Sequence, residues 1–323
     1  MKHRAFSQQT IVLAIFVGMF LGFSIFLKGF SDPSNIVALL QNVAILGILG
    51  LGMALIVLGR GIDLSMIAIL AVPPGLVLQM VQNGHSIPIA CSVALALVLV
   101  VGLINGWLIA YAEVPALFTT LGTGIFLAGL GQAAFFQVDV VQWPSNLDVI
   151  SWFGRGALVG IPMPIAMFGI AAGLTALFLR RTRLGNYFYA IGDNPFAART
   201  TGVPTRPVIV LQYVLAALLA AFAGMVMAAS INSMPTRIYN STLIYDVVLV
   251  VVLGGIGLSG GRGGIGNVLA GTVFIGTLIN GMTILDVSFS GQNLVKGLVL
   301  LIALLIDSLV NPRNEETAQQ SDI

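Results

Sequence analysis

Charge is scarce in this chain: only 8% of its 323 residues are Asp, Glu, Lys or Arg, against roughly 25% in soluble domains. That shortage excludes a water-solvated globule. Cysteine is nearly absent too, and the single Cys91 sits in an apolar run, so there is no internal disulfide. No Cys/His cluster has metal-ligand spacing, which leaves redox and zinc chemistry without residues and predicts no metal site and no cofactor. Basic and acidic residues number 14 and 12, a formal net charge of +2, too little for the clustered basic face of a nucleic-acid binder. Ser, His and Asp nowhere gather in a catalytic order, and His3 and His85 fall in the terminus and a loop, so no catalytic residue is assigned. The run Gly260-Gly261-Arg262-Gly263-Gly264 lacks the Gly-Lys-Ser/Thr ending of a phosphate loop and reads as a hinge or close packing. What is abundant is apolar side chain, at 58% of residues and a mean hydropathy of +1.02. A core of this size cannot hide so much, so helix faces must meet lipid.

Apolar runs recur at 11–27, 36–58, 64–81, 87–111, 116–137, 164–179, 208–231, 243–256, 265–284 and 294–309. The fold expected is all-α, a polytopic membrane protein of about ten transmembrane helices, with 1–323 as a single transmembrane domain. The first run follows Lys2, His3 and Arg4 as a signal peptide would, but no small-residue cleavage site comes after it, so it reads as the first span. Run 243–256 is short and contains Gly254 and Gly255, which suggests a broken or re-entrant helix. With ten spans and an inner N-terminus, Lys2, Arg4, Arg60, Arg180, Arg181, Arg183, Arg199, Arg206, Arg262 and Arg313 fall inside. Lys28, Arg155, Arg237 and Lys296 fall outside. That asymmetry places both termini in the cytoplasm. The outer loop 138–163 carries Trp143 and Trp152, rings suited to a membrane interface. The inner loop 180–207 is the most polar part of the chain. There Asn194 is placed to cap a helix, Pro195 takes its first position and Gly202 closes it, which encodes about two turns. The tail 311–323 is polar and expected to be a mobile cytoplasmic end.

Ala216, Ala220, Gly224 and Ala228 recur every fourth residue, a stripe that lets membrane helices approach closely. Gly266, Gly271, Gly276 and Gly281 recur every five and so do not share a face. Between the second and third runs, Arg60 and Asp63 bring opposite charges together, and Asp63 reads as the cap of the next helix. Either charge buried alone would cost roughly 2.5–3.5 kcal/mol. The polar residues within the runs are uncharged, among them Asn42, Asn105 and Thr120, while Asp246 falls near a run end. An ion-coupled secondary carrier, which places carboxylates at mid-membrane, is therefore the alternative and not the first reading.

Gly61-Ile62-Asp63-Leu64-Ser65, Val114-Pro115-Ala116 with Thr120-Leu121-Gly122, and Thr182-Arg183-Leu184-Gly185 with Tyr189-Ala190-Ile191-Gly192 follow one another. Then come Asn194 with Ala197-Ala198 and Gly202, and Asp246 eight residues before Gly254-Gly255. In that order these motifs resemble the permease subunits of bacterial sugar ABC importers of the ribose type. The resemblance implies an inner-membrane protein that provides the path for a monosaccharide or similar small polar solute and is not itself an ATPase. It also implies three partners: a cytoplasmic ATP-binding subunit, a periplasmic solute-binding protein, and a second copy of the permease or a paralogous one. Under it, Asn194, Pro195, Ala197, Ala198, Arg199 and Gly202 form the helix received by the ATPase, with Ala197 and Ala198 keeping it slim. At least one of Asn42, Asn105 and Thr120 is expected on the translocation path, with Asp63, Asp246, Gly254 and Gly255 as motif positions. The sequence departs from the family pattern at Arg60, at Met66-Ile67-Ala68, at Asp193 and at Ile256-Gly257.

Overall fold

A computed structural model describes residues 8–136 and 138–310. The expectations for Lys2, Arg4, Arg313 and the tail 311–323 lie outside these residues. The chain runs through α1 (Gln8–Phe26), α2 (Pro33–Leu58), α3 (Met66–Gln82), α4 (Ile87–Ala110) and α5 (Ala116–Leu130), which continues as a π turn over Gly131–Phe135. Beyond it come β1 (Val140–Gln142), α6 (Asp148–Arg155), β2 (Ala157–Leu158), β3 (Ile161–Pro162), α7 (Met163–Arg181), α8 (Arg183–Asp193) and α9 (Pro195–Thr200). The rest is α10 (Thr205–Ile231), β4 (Ser233–Pro235), α11 (Leu243–Gly254), α12 (Ile265–Ile284) and α13 (Phe289–Val310). Eight helices are long and apolar enough to cross a membrane, and α3 and α11 are shorter apolar helices, so the ten apolar segments are present.

The two short helices are short because they lie inside. At 1.5 Å per residue, the 17 residues of α3 reach about 26 Å and the 12 of α11 about 18 Å, less than the ~30 Å of a hydrocarbon core. Every residue of α3 from Met66 to Leu78 is buried, and so is α11 from Asp246 to Gly254 except the half-buried Val248. Around them stand α2, α10 and α12, while α1 and α13 lie at the periphery with little of their surface buried. Pro73 and Pro74 sit inside α3. Pro74 has no N–H, so the Leu70 carbonyl loses its helical donor. Gly224 of α10 lies against that same carbonyl, where any Cβ would overlap it. The stripe Ala216, Ala220, Gly224 and Ala228 is buried throughout, as its spacing predicts. Gly102 and Gly106 of α4 do the same against the backbone at Val214 and Val210, a Gly-xxx-Gly pair that the sequence reading passed over. Gly266, Gly271, Gly276 and Gly281 turn to three different neighbours, α1, α11 and α2.

The break at the end of α11 has a local cause. Gly255 takes φ 95°, in the left-handed region, and the Ile256 N–H donates back to the Val251 carbonyl, the bond pattern of a helix terminus. At the opposite end of α3, β1 pairs antiparallel with β4, Val141 against Met234, and ties the loop 138–163 to the chain beyond α10. In α6, Trp152 and Phe153 face outward while Gly154 packs on Ala229.

Candidate coupling surface and polar interior

The polar loop 180–207 holds two helices where the sequence reading placed one. Thr182 caps α8, accepting from the Gly185 N–H at 3.0 Å and donating to the Phe178 carbonyl at 2.7 Å. Phe188 and Ile191 turn into the core. The signal was present as buried Gly185, Phe188 and Ile191 at helical spacing, on a segment too polar to read as a span. At the end of α8, the Arg60 guanidinium donates to the Gly192 carbonyl (2.6 Å) and the Asp193 carbonyl (2.5 Å). The Gly261 N–H donates to the Leu58 carbonyl at 2.9 Å, and Tyr189 donates its hydroxyl proton to the Gly263 carbonyl at 3.0 Å. The end of α2, the end of α8 and the α11–α12 link are therefore one hydrogen-bonded block. Arg60 and Asp193 meet within it.

From this block α9 projects. Asn194 Oδ1 accepts from the Phe196 and Ala197 N–H groups, each at 3.0 Å, Pro195 is the first helical residue, and Gly202 closes the turn at φ 86°. These three positions behave as local chemistry dictates. Ala198 corrects the expectation that it keeps an outer face slim. Only 4% of it is exposed, because the helix rests on the protein's own core through that residue. A helix of six residues cannot hold itself in water and needs such a seat. Its outward side carries Phe196, which is 54% exposed, with Ala197, Arg199 and Thr200. Phe196 was not singled out from the sequence, where one Phe among 18 carries no signal.

Asp63 is fully buried and, contrary to the expectation that it caps α3, leaves the N-cap position to Ser65. Its Oδ1 accepts from the Ser65 N–H (2.8 Å) and hydroxyl (2.5 Å), an Asx turn that shapes the entry to the helix. Ser65 Oγ accepts from Asn105 Nδ2 at 2.9 Å, and Asn105 Oδ1 accepts from Thr123 Oγ1 at 2.6 Å. Thr120 Oγ1 accepts from the Leu64 N–H at 3.0 Å. Asn105 and Thr120 thus join Asp63 in one buried network between α3, α4 and α5. Asn42 stands apart, exposed on α2.

The interior also holds charge, contrary to expectation. Lys296, assigned to an outer span end, lies inside α13 and is 8% exposed; Asp246, on α11, is 7% exposed. Lys296 Nζ reaches Asp246 Oδ1 at 2.8 Å and Oδ2 at 3.1 Å. Each charge is tolerated because the other neutralises it. Fifty residues separate them, so neither predicts the other. Gly254 abuts the Asn267 carbonyl and accepts from Asn267 Nδ2 at 2.7 Å, joining α11 to α12. Among the described residues, no group of three or more His, Cys, Asp or Glu is placed to hold a metal ion.

Residues 35–304 match the family described as branched-chain amino acid transport system / permease component. The ribose import permease protein RbsC of Escherichia coli (strain K12) is 34% identical over 281 residues, covering 86% of this chain and 87% of that protein. RbsC of Bacillus subtilis (strain 168) is 38% identical over 299 residues, covering 91% and 92%. The galactofuranose transporter permease protein YtfT of Escherichia coli (strain K12) is 33% identical over 279 residues, covering 86% and 80%. No solved structure matches the chain. With ten apolar helices around a buried polar network, and a match running over nearly all of them, the chain is a multi-pass membrane permease and belongs to the branched-chain amino acid transport system / permease component family.

Proposed function

We propose that this protein is the membrane-spanning permease subunit of an ATP-binding cassette importer in a bacterial inner membrane, carrying a monosaccharide or a similar small polar solute. The relatives named for ribose and galactofuranose support the solute class. The observation that carries the mechanism is the doubly closed helix α9, seated through Ala198 and continuous with the block built by Arg60. A partner ATPase that closes on Phe196, Ala197 and Arg199 pushes on a rigid element, and the block passes that displacement to α2, α8 and the α11–α12 link together. Two-state transmission needs such a connected body. ATP hydrolysis belongs to the partner, and a solute-binding protein delivers the cargo at the opposite end. Both termini are cytoplasmic in this reading, which follows from the asymmetry of Lys and Arg.

A second permease, identical or paralogous, completes the path. Of Asn42, Asn105 and Thr120, Asn42 is the residue left facing outward from the single chain, so its amide meets the path or the partner copy. Asn105 and Thr120 act behind it, setting the spacing of α3, α4 and α5. Uptake of labelled monosaccharides by the assembled transporter tests the reading. ATP-dependent uptake that ceases when the ATPase subunit is deleted is expected. Uptake that persists without the ATPase and follows an ion gradient would establish the secondary carrier instead.

A further inference from the structure

At the end of the bundle remote from α9, where α3 finishes, there is a cavity of about 440 Å³, within the ~300–1,000 Å³ of small-molecule sites. Gln79, Gln82 and Asn83 line one side, and Gln132 comes from the π turn that ends α5. Phe135 and Phe136, with their rings edge to face, supply the apolar wall. The π turn at the end of α5 carries Gln132 and Phe135 to the cavity, and Phe136 follows it as the first extended residue. The amides are held in place. Gln79 Nε2 donates to Asn83 Oδ1 (3.4 Å), Gln82 Nε2 to the Gln142 carbonyl (2.7 Å) and Gln132 Nε2 to Thr236 Oγ1 (2.8 Å). In all three glutamines the NH₂ is engaged and the carbonyl oxygen is left to accept, while Asn83 keeps its NH₂ to donate. No lining residue is charged.

We propose that this cavity is an entry site for a neutral monosaccharide. Sugar hydroxyls both donate and accept, so they match a wall of oriented amides, and the C–H face of a sugar ring rests on the half-buried Phe135, with the buried Phe136 behind it. A zwitterionic amino acid would bring a carboxylate and an ammonium group against uncharged partners and give up their hydration without compensation. The cavity therefore selects between the two solute classes that the family description and the named relatives suggest. The inference rests on the reading of the chain as a sugar permease, and places the selecting chemistry in Gln79, Gln82, Asn83 and Gln132.

The test uses the full-length protein in nanodiscs, titrated with D-ribose, D-galactose, D-xylose and L-leucine. At least one sugar should bind and leucine should not. Asn83→Leu and Gln132→Leu should each weaken the sugar about tenfold, the loss of one or two hydrogen bonds. Asn146→Leu, exposed near the same end but outside the cavity, should leave it unchanged. Asn83 is exposed at the end of α3, so its variant tests the site even where Gln132→Leu disturbs folding. Leucine binding, no sugar binding, or sugar affinity indifferent to both amide variants would overturn the site. If the assembled transporter still imports a monosaccharide while both variants keep wild-type affinity, the cavity fails and the transport function stands. If it imports no monosaccharide, the function itself fails.

Discussion

At residue scale, the two side chains with the sharpest consequences are Asn194 and Ala198. Asn194 satisfies two N–H groups at the start of α9, and its replacement by Ala costs about 1 kcal/mol of helix stability. In Asn194→Ala, α9 frays at its first turn, so uptake should fall while membrane insertion stays normal. Ala198→Trp acts differently: the ring has no space in the seat beneath α9 and lifts the helix from its block. Co-purification of the ATPase subunit and its stimulated hydrolysis check both, and wild-type coupling in Ala198→Trp would remove α9 from the mechanism. Phe196→Ala separates surface from seat, because it should weaken ATPase association without lowering the thermal stability of the permease alone. The pair Asp246 and Lys296 provides the other residue-scale prediction. Removing one partner of a buried pair costs about 3–5 kcal/mol, because the remaining charge is stranded, whereas replacing both with apolar groups is close to neutral. Lys296→Met should therefore lower the melting temperature in detergent sharply, and Asp246→Leu added to it should recover most of the loss. A double variant as unstable as the single one would show that the two charges act independently.

At the scale of elements, close approach of backbones holds the core together. Inside a membrane there is little hydrophobic force between helices, and packing has to take its place. Gly224→Ala inserts a methyl group into the Leu70 carbonyl on α3 and should cost about 1–3 kcal/mol, the usual range for overpacking. Gly173→Ala on α7, with nothing within 4 Å of the added carbon, is the matched control and should leave the melting temperature unchanged or raise it, since Ala favours a helix over Gly. Equal effects of the two would mean that helix propensity, not the α3–α10 contact, sets stability. The stripe containing Gly224 was legible because its fourfold spacing is a one-helix property. The Gly102 and Gly106 pair has the same legible spacing, yet it stands among 38 glycines, most of which carry no such signal. Which helix Gly224, Gly102 and Gly106 meet was not legible, since their partners Leu70, Val214 and Val210 lie more than a hundred positions away.

For the whole molecule, the arrangement of basic residues predicts orientation. Reporter fusions at residue 323 and within α6 should report the C-terminus inside and α6 outside. An external C-terminus would mean that α11, too short for a full crossing on its own, turns back within the protein. The shortness of α11 and α3 is itself a whole-molecule property: both are enclosed by longer helices, so neither has to match the thickness of the bilayer. From the run 243–256 the sequence indicated an interruption at Gly254 and Gly255, and Gly255 indeed takes the left-handed conformation.

By itself, the sequence determined much of what depends on neighbours along the chain, though not the local cap of α8 at Thr182 or the turn at Asp63. Composition demanded a membrane, run lengths set ten apolar helices, and Asn194, Pro195 and Gly202 defined α9, because caps and turns act within a few residues. Tertiary structure decided what depends on contacts between distant segments. It turned Ala198 inward and left Phe196 out, drew Asn105 and Thr120 into the network of Asp63, and buried Lys296 against Asp246. It also gathered amides from α3 and the π turn of α5 into one cavity. Periodicity cannot reveal such meetings, because each partner's environment is created only when helices from different parts of the chain pack together.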